Sequence, residues 1–542
     1  MTTALDSNTA ATPYVALLAT VLSGCFALMG CGGGDDASTT ASERVLAIAK
    51  ATCGGSDKSE PGLQGQTPMP DRAVLFPGYN CNMTKTGEVA PVGGYGIWRQ
   101  FALVKDRSGH TCGFSGGLAG EIGRPELGTA VVDLTDPDRP IQTVTLMTPA
   151  MQGPGEGLRA HQERGLLVSA YYVNAPRTAE VTKGFDVYDV GTDCRYPQLL
   201  ATTTSITFDA TDIAAWPGEQ PYTAQERAMG HEGAFAPDGL TYYISDLVHG
   251  LYHAIDLTDP TAPVLLSSFA NPGYKVSAQL NVQAIPHGLS LSNDGNTGYM
   301  TTMAYDWTRS DGVQPQTGEW HNGFLVVDTS EVQARLPNAK MRFKQEVTFH
   351  DASAEQLTIP VTIGGKPYVI TWGEGGGGLG VTGFKNACAA GITPFSAPRI
   401  FDIESSATPT LVNKLTLEAG MPVPEVCATI TPEMETAGGN YNVHMCSVDN
   451  RDDATTLACT YYQAGIRVFD IRNPKNVKEV AYFNPAAVDG IAAGLGCAAL
   501  PFLDAAQGRL YTSCVNTGIV ALKFTNGVWP FPESKTPSDR QL

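Results

Sequence analysis

Short apolar runs that mostly open on glycine and close on aspartate punctuate the chain: GTAVVD (128–133), GFDVYD (184–189), GLYHAID (250–256), GFLVVD (323–328), PRIFD (398–402) and GIRVFD (465–470). A seventh, GIVALK (518–523), ends on Lys523 instead. Successive closing aspartates lie from 56 residues (Asp133 to Asp189) to 74 residues (Asp328 to Asp402) apart. Runs so rich in β-branched and aromatic residues predict strands. The period is too long for a one-strand solenoid rung and suits four strands with variable loops, which predicts propeller blades. After the aspartate, LTDPDRP (134–140), LTDPTAP (257–263) and IRNPKNV (471–477) place Asp-Pro or Asn-Pro where the chain must reverse. The apolar segments that follow, IQTVTLM (141–147), VLLSSF (264–269), LVNKLTL (411–417) and VKEVAYF (477–483), are predicted as outer strands. Asp133, Asp189, Asp256, Asp328, Asp402 and Asp470 are expected to cap strand-to-turn junctions.

The strands FLVVD (324–328) and RVFD (467–470) resemble the LVIVD-repeat family, over roughly residues 94–527. GLQGQTPMPDR (62–72) and GYNCNM (78–83) look like the opening segment of bacterial lipoproteins that carry these repeats. The resemblance implies an all-β, seven-bladed β-propeller and no particular activity. A shorter resemblance, in APDGLTYYISDLVHGLYHAIDLTDPTAP (236–263) and LSLSNDGNTGYMTTMAYDW (289–307), is to two blades of the selenium-binding protein family. That family includes a copper-dependent methanethiol oxidase, so copper oxidase chemistry is an implied alternative.

The apolar stretch Tyr14 to Leu28 is too short to span a bilayer comfortably and reads as a signal peptide. Cysteines at 25 and 31 each follow a lipobox-like triplet. Lipidation at Cys31 leaves ten cysteines, an even set suited to an oxidising compartment. Of these, Cys446 with Cys459 and Cys497 with Cys514 are predicted to bridge neighbouring strands within a blade. The expected organisation is a lipoprotein signal peptide (1–30), the lipidated cysteine and a flexible tether (31–52), an N-terminal segment packing on the propeller (53–93), the propeller (94–527) and a C-terminal tail (528–542). The anchor would tie the chain to the bacterial cell envelope, on the outer membrane in a Gram-negative host because Gly32 follows the lipid cysteine. The net charge of −19 argues against nucleic acid and anionic lipid surfaces as partners. A monomer is expected.

Candidate chemistry lies on the inner strands. His231-EGAFAPDG and His287-GLSLSNDG align residue for residue, His444-MCSVDNRDD keeps the histidine and polar turn, and His161-QERG keeps the histidine with a shorter arm. Inner strands converge on the central channel, so these four imidazoles would ring one mouth and could ligate Cu, Fe or Zn. Glu232 is the candidate acid–base group, with Asp246 and Glu374 expected to orient the rings. The competing reading makes each histidine a repeated packing device that hydrogen-bonds the next blade; an anion or small-molecule site is a third. The long loops 304–322 and 373–397 would decorate the same mouth. Within the latter, TWGEGGGGLG (371–380) lacks a lysine at phosphate-loop spacing and reads as a flexible loop without a helix N-terminus for phosphate. Aspartate-rich turns such as 292–298 read as hairpin turns rather than calcium loops. Two functions follow. One is a binding or scaffold module that presents its loop-rich face to a protein, peptide, glycan or small-molecule ligand; the other is a metal-dependent enzyme, an oxidoreductase by preference.

Overall fold

Each glycine-to-aspartate run becomes the third strand of an antiparallel sheet, and seven such sheets are the blades of a β-propeller. The computed structural model describes residues 46–67, 76–90, 98–117, 128–171, 184–203, 206–208, 226–228, 230–277, 281–405, 408–435, 440–487, 496–514 and 517–534. The signal peptide, Cys31 and most of the tether lie outside them. The first strands of blades one to seven are Trp98–Lys105, Arg159–His161, Gly233–Phe235, Asn281–Leu291, Ser353–Ile363, Val443–Val448 and Phe502–Asp504. Each of these meets the first strand of the next blade from one to seven, and the ring closes where blade one meets the second strand of blade seven, Arg509–Cys514. The core lies between blades. Leu357, Trp372, Val443 and Leu457 form one interlocked cluster across blades five and six, and Tyr243, Leu289 and Leu325 another across blades three and four.

The repeated aspartates are turn caps. In all six, Oδ1 accepts the backbone N–H two residues ahead: Thr135, Gly191, Thr258, Ser330, Glu404 and Arg472. This local bond turns the chain from third strand to fourth. The opening glycine has its own reason. Gly128 sits at φ 77°, and a Cβ there would come within 2.6 Å of the Leu146 carbonyl oxygen on the outer strand.

The last blade is completed from the other end of the chain. Its three C-terminal strands are joined by Met83–Val89, which pairs antiparallel with Gly518–Phe524 as the outer strand. The sequence alone places these residues in a segment packing on the propeller. Just before them, Tyr79–Cys81 adds a fifth strand to the edge of blade six. Asn82 makes the corner between the two at φ 55°, a conformation asparagine tolerates, while its Nδ2 donates to the carbonyls of Thr52 and Val480. Arg467 anchors the segment further. Its fully buried guanidinium pairs with Glu60 at 2.8 Å and Glu479 at 3.1 Å. The expected C-terminal tail also contributes: Trp529 is buried and its indole N–H donates to Thr456.

All ten cysteines among the described residues are paired. Cys446–Cys459 and Cys497–Cys514 form within blades as predicted, and Cys53–Cys81, Cys112–Cys194 and Cys388–Cys427 join them. Cys112–Cys194 ties blade one to the turn of blade two across 82 residues, a loop whose closure is worth about 4.5 kcal/mol in the chain-entropy model. Five disulfides fit a protein of an oxidising, extracytoplasmic compartment. No helix among the described residues is long and apolar enough to cross a membrane.

The glycine-rich run differs from its expectation. It leads into a helix, Gly380–Ala389, whose N-terminal Val381 N–H donates to Glu435 at 2.7 Å, so a carboxylate of the same chain already occupies the anion-attracting end. The run is packed. A Cβ on Gly376 would meet the Pro394 carbonyl oxygen at 2.3 Å, and one on Gly378 the Gly383 carbonyl oxygen at 2.3 Å.

Candidate functional site in the central channel

One position on the inner strand recurs in blade after blade, and its side chain reaches the next blade's backbone. Gln100 Nε2 donates to the Glu156 carbonyl at 2.8 Å, His287 Nδ1 faces the Gln356 carbonyl at 3.1 Å, and His444 Nδ1 faces the Ala498 carbonyl. His287 and His444 thus each face the next blade through Nδ1, the contact that the packing reading expects. It leaves Nε2 of each ring directed at the axis.

At the axis the Nε2 atoms meet Glu156. Its Oε2 lies 3.3 Å from His231 Nε2 and 3.6 Å from His287 Nε2, and the two nitrogens are 2.8 Å apart. Its Oε1 lies 2.9 Å from His444 Nε2, which is also 3.0 Å from Glu374 Oε1. Gln356 Nε2 donates to Glu156 Oε2 at 3.2 Å. Around this centre, Glu232 places Oε2 3.3 Å from His287 Nδ1 and gives Oε1 to Arg159. The Tyr462 hydroxyl donates to Glu374, and the Trp372 indole N–H holds the His444 carbonyl at 2.7 Å. Glu156, His231, His287 and His444 are buried; the Glu374 side chain is 24% exposed and marks the open side.

The charges follow from this geometry. Burial pushes the Glu156 carboxyl up, but hydrogen bonds from His231 and His444 outweigh it and hold the group well below the usual carboxylate range. Burial and the neighbouring His287 depress His231 below an ordinary imidazole. Burial also opposes charge on His287 and His444, yet Glu232 with Glu156 pushes the former up to about 9, and Glu156 with Glu374 the latter up to about 10. The carboxylates thus favour the imidazolium form of both rings at neutral pH. Their contribution to stability is complete below the ordinary imidazole value of about 6.5 and is lost as pH rises through about 9 and 10.

Three of the four predicted histidines are brought together and His161 is not. Its ring packs edge-on against Phe235 at 5.3 Å and faces the Pro237 carbonyl at 3.3 Å, joining blades two and three. Asp246, expected to orient the cluster, pairs instead with His249 at 2.7 Å and His253 at 3.2 Å. Glu374, expected to orient a ring, contacts His444 Nε2 at 3.0 Å. Sequence reasoning missed Glu156, although the signal was present: Glu156-Gly157-Leu158 repeats His287-Gly288-Leu289 with glutamate in the histidine's place. His161 lies five residues on, at the end of the inner strand Arg159–His161.

Two donor sets could hold a metal ion, Glu156–His231–His287 and Glu156–Glu374–His444. At metal–ligand distances of about 2.0–2.2 Å, adjacent donors stand roughly 2.9 Å apart in an octahedron and about 3.4 Å in a tetrahedron. The edges of 2.8, 3.3 and 3.6 Å in the first set span that range.

No protein-family model matches the chain, and no curated protein does. Solved structures similar in outline include the WD40 domain of Toxoplasma gondii coronin (10% identity, 90% of this chain and 94% of that one, TM-score 0.43). Others are the Cps50 (Swd1) β-propeller domain of Myceliophteria thermophila (8%, 81% and 98%, 0.42) and the periplasmic gluconolactonase of Pseudomonas aeruginosa (12%, 71% and 88%, 0.40). Such distant likenesses carry no functional argument. The class stands on the chain's own strands: a seven-bladed β-propeller with a buried histidine–glutamate cluster in its channel.

Proposed function

We propose that this protein is an extracytoplasmic metal-dependent enzyme whose transition-metal centre, Cu, Fe or Zn, lies in the propeller channel. The observation that carries the reading is the convergence of His231 Nε2, His287 Nε2 and Glu156 Oε2 within 3.6 Å of one another in a buried site. With His287 Nδ1 turned to the Gln356 carbonyl, the two Nε2 atoms and the carboxylate oxygen are three electron-pair donors aimed at one point once His287 gives up its proton. Two imidazoles and one carboxylate leave coordination positions open for a substrate or dioxygen, which suits Lewis-acid or oxidoreductase chemistry. Glu232 acts through His287, fixing its ring, and so is assigned a positioning role. The N-terminal lipid anchor at Cys31 and membership of the LVIVD-repeat propellers belong to the same proposal; the anchor would hold the propeller on the cell envelope.

Protein beginning near Ser42, purified from an oxidising compartment, is expected to contain stoichiometric Cu, Fe or Zn by elemental analysis. A His231→Ala/His287→Ala variant that still unfolds cooperatively should lose that metal. Absence of metal from both proteins after reconstitution would return the cluster to packing and leave the propeller as a binding or scaffold module with its loop-rich face toward a ligand.

Loading should also depend on pH. His287 and His444 must each surrender a proton to become ligands, so apparent affinity should rise about tenfold per pH unit for each proton displaced, from pH 6 toward 9. Competition titrations with a chelator of known pH dependence measure the slope. A flat profile would contradict the assignment of these rings as ligands.

A further inference from the structure

Glu156 presents its two oxygens to different partners. Oε2 faces His231 and His287, at 3.3 and 3.6 Å, and Oε1 faces His444 at 2.9 Å, with Glu374 Oε1 3.0 Å from the same imidazole nitrogen. All three donors of each set lie within 4.8 Å of one another. One carboxylate thus belongs to two complete donor sets, one oxygen to each. We infer that the channel holds a pair of divalent transition-metal ions bridged by Glu156, the first ligated by His231 and His287 and the second by His444 and Glu374. This rests on the metal reading above and extends it from one ion to two.

Two further observations support the pair. The Nδ1 atoms of His287 and His444 are each committed to a backbone carbonyl of the next blade, which leaves both Nε2 atoms as the metal-facing donors. Finally, Gln356 is fully buried beside Glu156 and its Oε1 has no hydrogen-bond partner. Half a turn of that amide would offer the carbonyl oxygen to the first ion as a fourth ligand, in exchange for its present hydrogen bond to Glu156. Ions about 3.5–4 Å apart, the usual spacing of two-metal sites, share a bound water or hydroxide and clamp one substrate oxygen between them. Access is from the second ion, because Glu374 is the exposed member of the set.

The test is metal stoichiometry on the whole mature chain, stripped with chelator and reloaded with Zn²⁺ as the probe. Wild type should bind two equivalents, His444→Ala one, His231→Ala/His287→Ala one, and Glu156→Gln fewer than one, with thermal unfolding confirming that each variant is folded. Anomalous diffraction from wild-type crystals grown with Zn²⁺ counts and places the ions without any substitution, so a variant that fails to fold leaves the question answerable. One equivalent in wild type, unchanged by His444→Ala, would overturn the pair and leave the single-ion reading standing. No equivalent at all would overturn both. Two equivalents of which Glu156→Gln removes only one would mean separate sites and overturn the bridge.

Discussion

Glu156→Gln should empty the channel of metal while preserving its shape. Glutamine matches the volume and can accept a hydrogen bond, but it carries no charge and offers one weak oxygen donor where glutamate offers two. Both donor sets contain Glu156, so one substitution reaches three histidines on three blades. In the metal-free state the same change removes the carboxylate that lies between His231, His287 and His444. Breaking a buried charge network by deleting one partner costs about 3–5 kcal/mol. The cost should be greatest at pH 6, where His287 and His444 are cationic, and should shrink above about pH 9–10 as they lose their protons. Elemental analysis and thermal unfolding at pH 6 and pH 10 check the two parts separately. Retention of wild-type metal by Glu156→Gln would remove Glu156 from the centre, and equal destabilisation at both pH values would remove the charge argument.

A chain beginning at Ala90 should fail to form a stable monomeric ring. Deletion of the preceding residues strips Met83–Val89 from blade seven and exposes the edge of Gly518–Phe524 along its whole length. An open apolar strand edge is a template for association. The deletion also removes Glu60, leaving the fully buried Arg467 with Glu479 alone, and this loss by itself costs about 3–5 kcal/mol. Expressed in an oxidising compartment, the truncated chain is expected to be insoluble or to elute as aggregate in size-exclusion chromatography. Monomeric elution with an unchanged unfolding temperature would show that the N-terminal strand is dispensable for closure.

The blades were legible because their determinants are local. A glycine with positive φ, an apolar strand and an aspartate bonded to the N–H two residues on are all specified within eight residues, and the six aspartate caps appear where the spacing put them. The two intrablade disulfides were legible for the same reason, since their cysteines flank hairpins. Blade seven was not. GIVALK carries no mark that its outer partner lies more than 400 residues earlier, at Met83–Val89. The helix after the glycine-rich run was also hidden, because six glycines read as freedom when Gly373, Gly376 and Gly378 are forced by closely packed backbone and Gly380 by a left-handed turn.

The site divides along the same line. That His231, His287 and His444 occupy comparable positions on their inner strands was written in the repeat, because equivalent positions in equivalent blades point the same way. Which of those residues share a centre was decided only by closure of the ring, which brings His444 within 2.9 Å of Glu156 across 288 residues. In blade two the position that His287 holds in blade four belongs to Glu156, so Glu156 comes to the axis and His161, five residues on, lies at a blade interface. Periodicity specifies a fold because every strand consults its neighbours in sequence. A buried cluster of charges is specified by mutual distance, and distance across a closed ring exists only once the ring has closed.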